Sequence, residues 1–146
     1  VPRYFQLHEC EVLLPQIERA LREAIFHKSE YQKADAALDA TTNRIRTSGG
    51  ARVNQSAWLA TRARRDTSGA ALKDAVQTIE ADGAVVKDLD IGLIDFLSVY
   101  RGQEVYLCWK LGEDRIAFWH GLTEGYRGRK PIDEDFLKHH GGQPDE

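Results

Sequence analysis

Nine residues in the second half of this 146-residue chain have side chains suited to ligand binding or proton transfer: Asp88, Asp95, Tyr106, Cys108, Glu113, His120, Glu124, Arg127 and Arg129. A thiol and an imidazole among carboxylates can hold a metal or carry out acid–base work near neutral pH. The same residues have a purely structural reading. Cys108 is then a small core residue, His120 a hydrogen-bonded strand residue, and Asp95 with Arg129 an ion pair. Free cysteine is among the most buried residue types, which favours the structural reading. Strand register decides whether thiol and imidazole meet, because side chains alternate between the two faces of a strand. If opposed positions sum to 226, Tyr106 faces His120 and Cys108 faces Phe118, so Cys108 and His120 are diagonal neighbours on one face. A slip of one residue places them on opposite faces. Two soft ligands fall short of the four that zinc usually takes, and Asp95, Glu113 or water would have to complete the shell. Neither a metal nor a cofactor is therefore expected, and Asp88, Asp95, Tyr106, Cys108, Glu113, His120 and Arg129 stand as a candidate ligand pocket, the alternative to the favoured structural reading.

Other chemistries find less support. The chain has no G-x-x-x-x-G-K-[ST], no G-x-G-x-x-G after a strand, no H-E-x-x-H, no G-x-S-x-G and no C-x-x-C. His8, His27, His139 and His140 follow no zinc-binding spacing. Two cysteines, Cys10 and Cys108, are too few for a disulfide framework, so reduced thiols in the cytoplasm are the expectation. Between Asn43 and Arg65 stand Arg44, Arg46, Arg52, Arg62, Arg64 and Arg65 with no acid. The net charge of −3 thus leaves −9 on the remainder. Arg62, Arg64, Arg65 and, separately, Arg127 are candidates for anion binding; each cation run has a solvated surface as its ordinary alternative.

The elements that must position these residues divide the chain. Hydrophobic residues at 42% and charged residues at 29% are ordinary globular composition, and no apolar run approaches the ~20 residues that span a bilayer. The fold class is α+β, with a long antiparallel helical hairpin packed at its root on a small, mainly antiparallel sheet. One domain is expected over 1–146: the hairpin in 1–83, a β unit with a loop and a short C-terminal helix in 84–140, and a frayed tail in 141–146. Leu14, Ile17, Leu21, Ala24, Tyr31, Leu38 and Ile45 lie on the three–four spacing of a helical seam. Pro15 suits a helix first turn, so a separate or kinked turn is expected before it. Ser48-Gly49-Gly50 breaks the helix, and a second runs from about Asn54 to Ala81. Partners across the hairpin should sum to about 100, with Leu21 meeting Ile79. Leu14, Ile17, Leu21, Leu72, Val76 and Ile79 should be buried with Val105, Leu107 and Phe118. From residue 84 the period becomes two, giving strands near 85–89, 92–96, 104–110 and 115–120. Residues 121–131 read as a glycine-rich loop. A first helix of ~50 Å outreaches a compact chain of this length, so the hairpin must project, and its distal half calls for a partner. Tyr31, Leu38 and Trp58 are the expected contact residues.

The motifs Gly83-Ala-Val-Val-Lys-Asp-Leu89, Gly92-Leu-Ile-Asp-Phe96, Leu107-Cys-Trp-Lys-Leu-Gly-Glu113, Trp119-His120 and Gly125-Tyr-Arg-Gly-Arg-Lys-Pro131 stand in that order. Together with Arg3-Tyr4-Phe5 and Leu13-Leu14-Pro15 they resemble the bacterial domain of unknown function 2203 over nearly the whole chain. Where such proteins usually open their first helix with Thr-x-Glu-Glu, Gln6-Leu7-His8-Glu9 stands here. The resemblance implies a bacterial cytoplasmic origin and supplies no activity.

The first expectation for function is an interaction or regulatory module that oligomerises through its hairpin, by self-association or with an unidentified protein partner. The second is a small-molecule- or metal-binding protein or enzyme with a pocket around Cys108 and His120; no catalytic residue is assigned. The third is weak polyanion binding by the arginine-rich tip. Neither a membrane nor a nucleic acid is the expected partner.

Overall fold

In the computed structural model, which describes residues 2–47, 49 and 54–145, a single helix α1 occupies Leu7–Thr47. Cys10, Leu14, Ile17, Leu21 and Ala24 are buried along it at the three–four spacing that turns one face to a core. No separate turn precedes Pro15, and the helix continues through that residue unbroken. Proline removes the bond to the carbonyl of Glu11, but Glu11 and Pro15 are both exposed, so water can take that carbonyl. At the start, Glu9 Oε1 accepts the Gln6 N–H at 2.8 Å, which is the back-reaching half of a capping box.

The second helix, α2, spans Gln55–Ala81 and is capped by Asn54, whose side chain accepts the Ala57 N–H. Arg65 pairs with Asp35 at 3.6 Å, and the Tyr31 ring lies against Gly69. Both contacts join residues that sum to 100, the expected antiparallel register. Ser48 and Gly50 of the expected breaker, and Arg52 of the basic stretch, lie outside the described residues.

Five strands form one antiparallel sheet in chain order: β1 Ala84–Asp88, β2 Leu93–Tyr100, β3 Gln103–Lys110, β4 Phe118–Gly121 and β5 Lys130–Pro131. Between β2 and β3, Arg101 and Gly102 both take positive φ (50° and 78°), the two-residue turn whose twist suits paired strands. Residues 115–117 lie outside β4. The stretch expected as loop up to Pro131 contains a 3-10 turn at Tyr126–Gly128 as well as β5. A helix α3, Glu134–His139, follows. The tail is tied rather than frayed through residue 145: Gly141 N–H bonds the Val99 carbonyl and Asp145 N–H the Gly102 carbonyl.

One sheet face carries Ile94, Phe96, Leu107 and Trp109 into a core with Phe5, Cys10, Leu14, Ile17, Leu21 and Ile79. Leu72 and Val76, expected in that core, are only half-buried, because α2 meets the sheet at edge strand β1 through its last turns. Phe118 is half-buried too, since the register turns it to the other face. No helix among the described residues is long and apolar enough to cross a membrane.

Candidate functional site

The sheet face turned away from the helices is where the chemistry-bearing residues meet. Register aligns Val85, Asp95, Cys108 and Phe118 in one row across β1 to β4, with Tyr106 opposite His120 in the next. The β3–β4 pairing is the one in which opposed positions sum to 226. Thiol and imidazole therefore share a face, and β2 adds Asp95 beside them. Asp95, Cys108 and His120 are 1%, 0% and 3% exposed. Their ligand atoms all lie within 4.8 Å of one another.

Each polar group has a defined partner or a defined lack of one. His120 Nε2 lies 2.9 Å from Asp95 Oδ2, and its Nδ1 lies 2.8 Å from the Gly121 carbonyl. A carbonyl only accepts, so Nδ1 carries a proton. Asp95 Oδ1 and Arg129 Nη1 are buried without a hydrogen-bond partner among the described residues. Burial first, and then the neighbouring Asp95 carboxylate, push the Cys108 thiol up to about 12. A thiol so placed stays protonated at neutral pH and is a poor nucleophile.

Arg129 closes the cluster from above. Its guanidinium stacks over Phe118 at 4.0 Å and Tyr126 at 4.8 Å, and it pairs with Glu113. Glu113 in turn accepts the Lys110 N–H at 2.7 Å, while its own carbonyl accepts the Trp109 indole N–H at 3.0 Å. The ion pair expected between Asp95 and Arg129 is thus not formed. Asp95 pairs with His120 and Arg129 with Glu113, because Glu113 lies in the tight turn after β3, within reach of the guanidinium. The roles of Phe118 and Tyr126 were not read from the sequence; the Tyr126–Arg129 spacing was the available signal.

The other expected site residues stand outside the buried trio, with Tyr106 alone beside it. Asp88 braces a turn by accepting the Asp90 and Ile91 N–H groups. Glu124 ties its loop by accepting from Gly121 N–H and Lys130. Tyr106 is half-buried with its ring 5.5 Å from that of His120, and Arg127 is exposed on the 3-10 turn. Along the hairpin, Leu38 is buried and Tyr31 packs on Gly69, so both are occupied within the pair of helices. Trp58 lines a cleft of about 360 Å³ with Thr42, Ile45, Arg46 and Gln55. Arg65 is engaged by Asp35 and Asp66, Arg64 by Thr61 and Arg62 by the Trp58 ring.

With hardly any surface open to solvent, Asp95, Cys108 and His120 suit an enclosed ion better than an organic substrate. A family model described as "Uncharacterized conserved protein (DUF2203)" matches residues 3–132. No curated protein and no solved structure matches the chain.

Proposed function

We propose that this chain, which belongs to the DUF2203 family, is an interaction module that self-associates through its helical hairpin. The observation that carries this reading is an unpartnered hairpin face around Phe26, which is 57% exposed. Glu23, Phe26, Glu30, Lys33 and Ala37 follow the three–four spacing of that face. With Arg64 and Ser68 of α2, several of them border a groove of about 470 Å³. The hairpin's last ion pair to the β unit is Lys28 with Asp90, and some 19 residues of α1 continue past it, ~28 Å at 1.5 Å each.

The occupant that fits is a second copy. The face is acidic toward the sheet, at Glu23 and Glu30, and basic toward the tip, at Lys33 and Arg64. An antiparallel copy brings opposite charges together on a two-fold axis, with small Ala37 and Ser68 between them. Two helices side by side are ~20 Å wide, so the stretch from Phe26 to Thr47 offers roughly 600 Å² per copy, near the ~800 Å² of a standard interface. Such an oligomer fits the bacterial cytoplasm, where the two free thiols stay reduced.

Light scattering across micromolar concentrations tests the reading. A dimer mass is expected, falling toward monomer in Phe26→Asp and in Glu30→Lys, with Glu30→Lys rescued by Arg64→Glu. A wild-type chain that stays monomeric at high micromolar concentration overturns the reading.

A further inference from the structure

We propose that Asp95, Cys108 and His120 form a zinc-type divalent metal site, independent of the hairpin interface. The inference starts from a conflict between two acceptors. His120 Nδ1 must donate to the Gly121 carbonyl, so in the neutral ring Nε2 is a bare lone pair. That lone pair faces a carboxylate oxygen 2.9 Å away. Two acceptors at that separation need a cation shared between them, either a proton or a metal ion.

The proton leaves more unsatisfied. An imidazolium–carboxylate pair would use Oδ2 alone, and the buried Oδ1, which has no hydrogen-bond partner of ordinary geometry, would be left with at most the weak S–H donor of Cys108. A metal ion engages all of them. Asp95 offers two oxygens, His120 one nitrogen and Cys108 one sulfur, four donor atoms from three residues. That mix of nitrogen, oxygen and sulfur suits zinc, whereas calcium and magnesium take oxygen shells. The Nδ1–H bond to a backbone carbonyl is the outer-shell contact that orients metal-binding imidazoles.

Charge agrees. A bound divalent ion displaces the Cys108 proton to solvent, and the resulting thiolate with one carboxylate neutralises the ion, while the nearby Arg129 is already balanced by Glu113. The three residues come from β2, β3 and β4 and are closed to solvent, so the site assembles as the sheet forms. Loading is therefore expected during folding rather than by soaking the folded chain.

The test refolds the full chain from denaturant with one equivalent of cobalt(II) or zinc(II), followed by gel filtration, metal analysis and absorption spectroscopy. One metal per chain is expected, with a thiolate-to-cobalt charge-transfer band. Cys108→Ser should abolish that band and Cys10→Ser should retain it, while His120→Gln should lower cobalt affinity at least tenfold, the scale of lost metal-site contacts. Two results overturn the proposal. One is a refolded wild-type chain that carries no metal. The other is a cobalt spectrum unchanged by Cys108→Ser, which would place the ion elsewhere. The wild-type measurement decides even if a variant fails to fold.

Discussion

Cys10 and Cys108 have no exposed surface, and burial raises both thiols above the ordinary range, Cys108 to about 12. Reactivity follows the thiolate and its access, so neither should react with a disulfide reagent in the native state. Two equivalents should react once denaturant is added. A fast-reacting thiol in the native protein would show that the sheet face opens. Asp95 carries the larger energetic stake. Its carboxylate is the buried partner of His120, and removing one member of a buried pair leaves the other uncompensated. Asp95→Ala should cost ~3–5 kcal/mol in urea unfolding, well above a surface substitution.

Gly83 joins α2 to β1 with φ of +96°, and a Cβ there would lie 2.5 Å from the Phe5 ring. Phe5 is itself locked, with its N–H on the Leu97 carbonyl, its carbonyl accepting Ser98 Oγ–H, and its ring edge-on to Phe96. Gly83→Ala should therefore destabilise by at least ~1–3 kcal/mol, read as a lower urea midpoint with unchanged m-value. At the other end, α3 is tied by Asp135 to Tyr100 and Arg101. Hydrogen bonds from Arg101 and Tyr100 lower the Asp135 carboxyl from 3.8 to about 2. A folded value below the unfolded one stabilises above about pH 4, and that contribution is lost as pH falls through about 2. Between pH 4 and 2 the wild-type melting temperature should drop more than that of Asp135→Asn. Parallel curves would mean that the contact does not hold α3.

The whole molecule is a sheet with a lever. Its core gathers α1 residues from Cys10 to Leu21, while Ala34 and Leu38 farther out are covered within the hairpin. Fewer buried contacts mean easier local opening, so amides beyond about residue 30 should exchange faster than those of β2 and β3. Dilution of the proposed dimer to monomer should accelerate the distal amides alone. At the tip, Arg62, Arg64 and Arg65 already have protein partners. Heparin retention should be weak and change little when all three become Ala; a large loss would revive the polyanion reading.

Periodicity determined much of this. The three–four seam specified the first helix, and the Ser48-Gly49-Gly50 breaker specified where the chain folds back and hence the register that Asp35–Arg65 and Tyr31–Gly69 bear out, while alternation specified the central strands. The β3–β4 register was legible only as one of two alternatives, because Leu107 and Trp109 face the core whichever face of β4 lies beside them. Local sequence could not specify the path of α1 through Pro15, since that depends on which side of the helix faces water. Nor could it specify β5, two residues long and stabilised by its neighbour β4. The arrangement of Asp95 against His120 and Arg129 against Glu113 was likewise beyond it. Charge pairing between distant segments depends on which side chains the closed sheet brings within reach, and sequence spacing does not encode that distance. Tertiary structure alone placed a third donor beside Cys108 and His120.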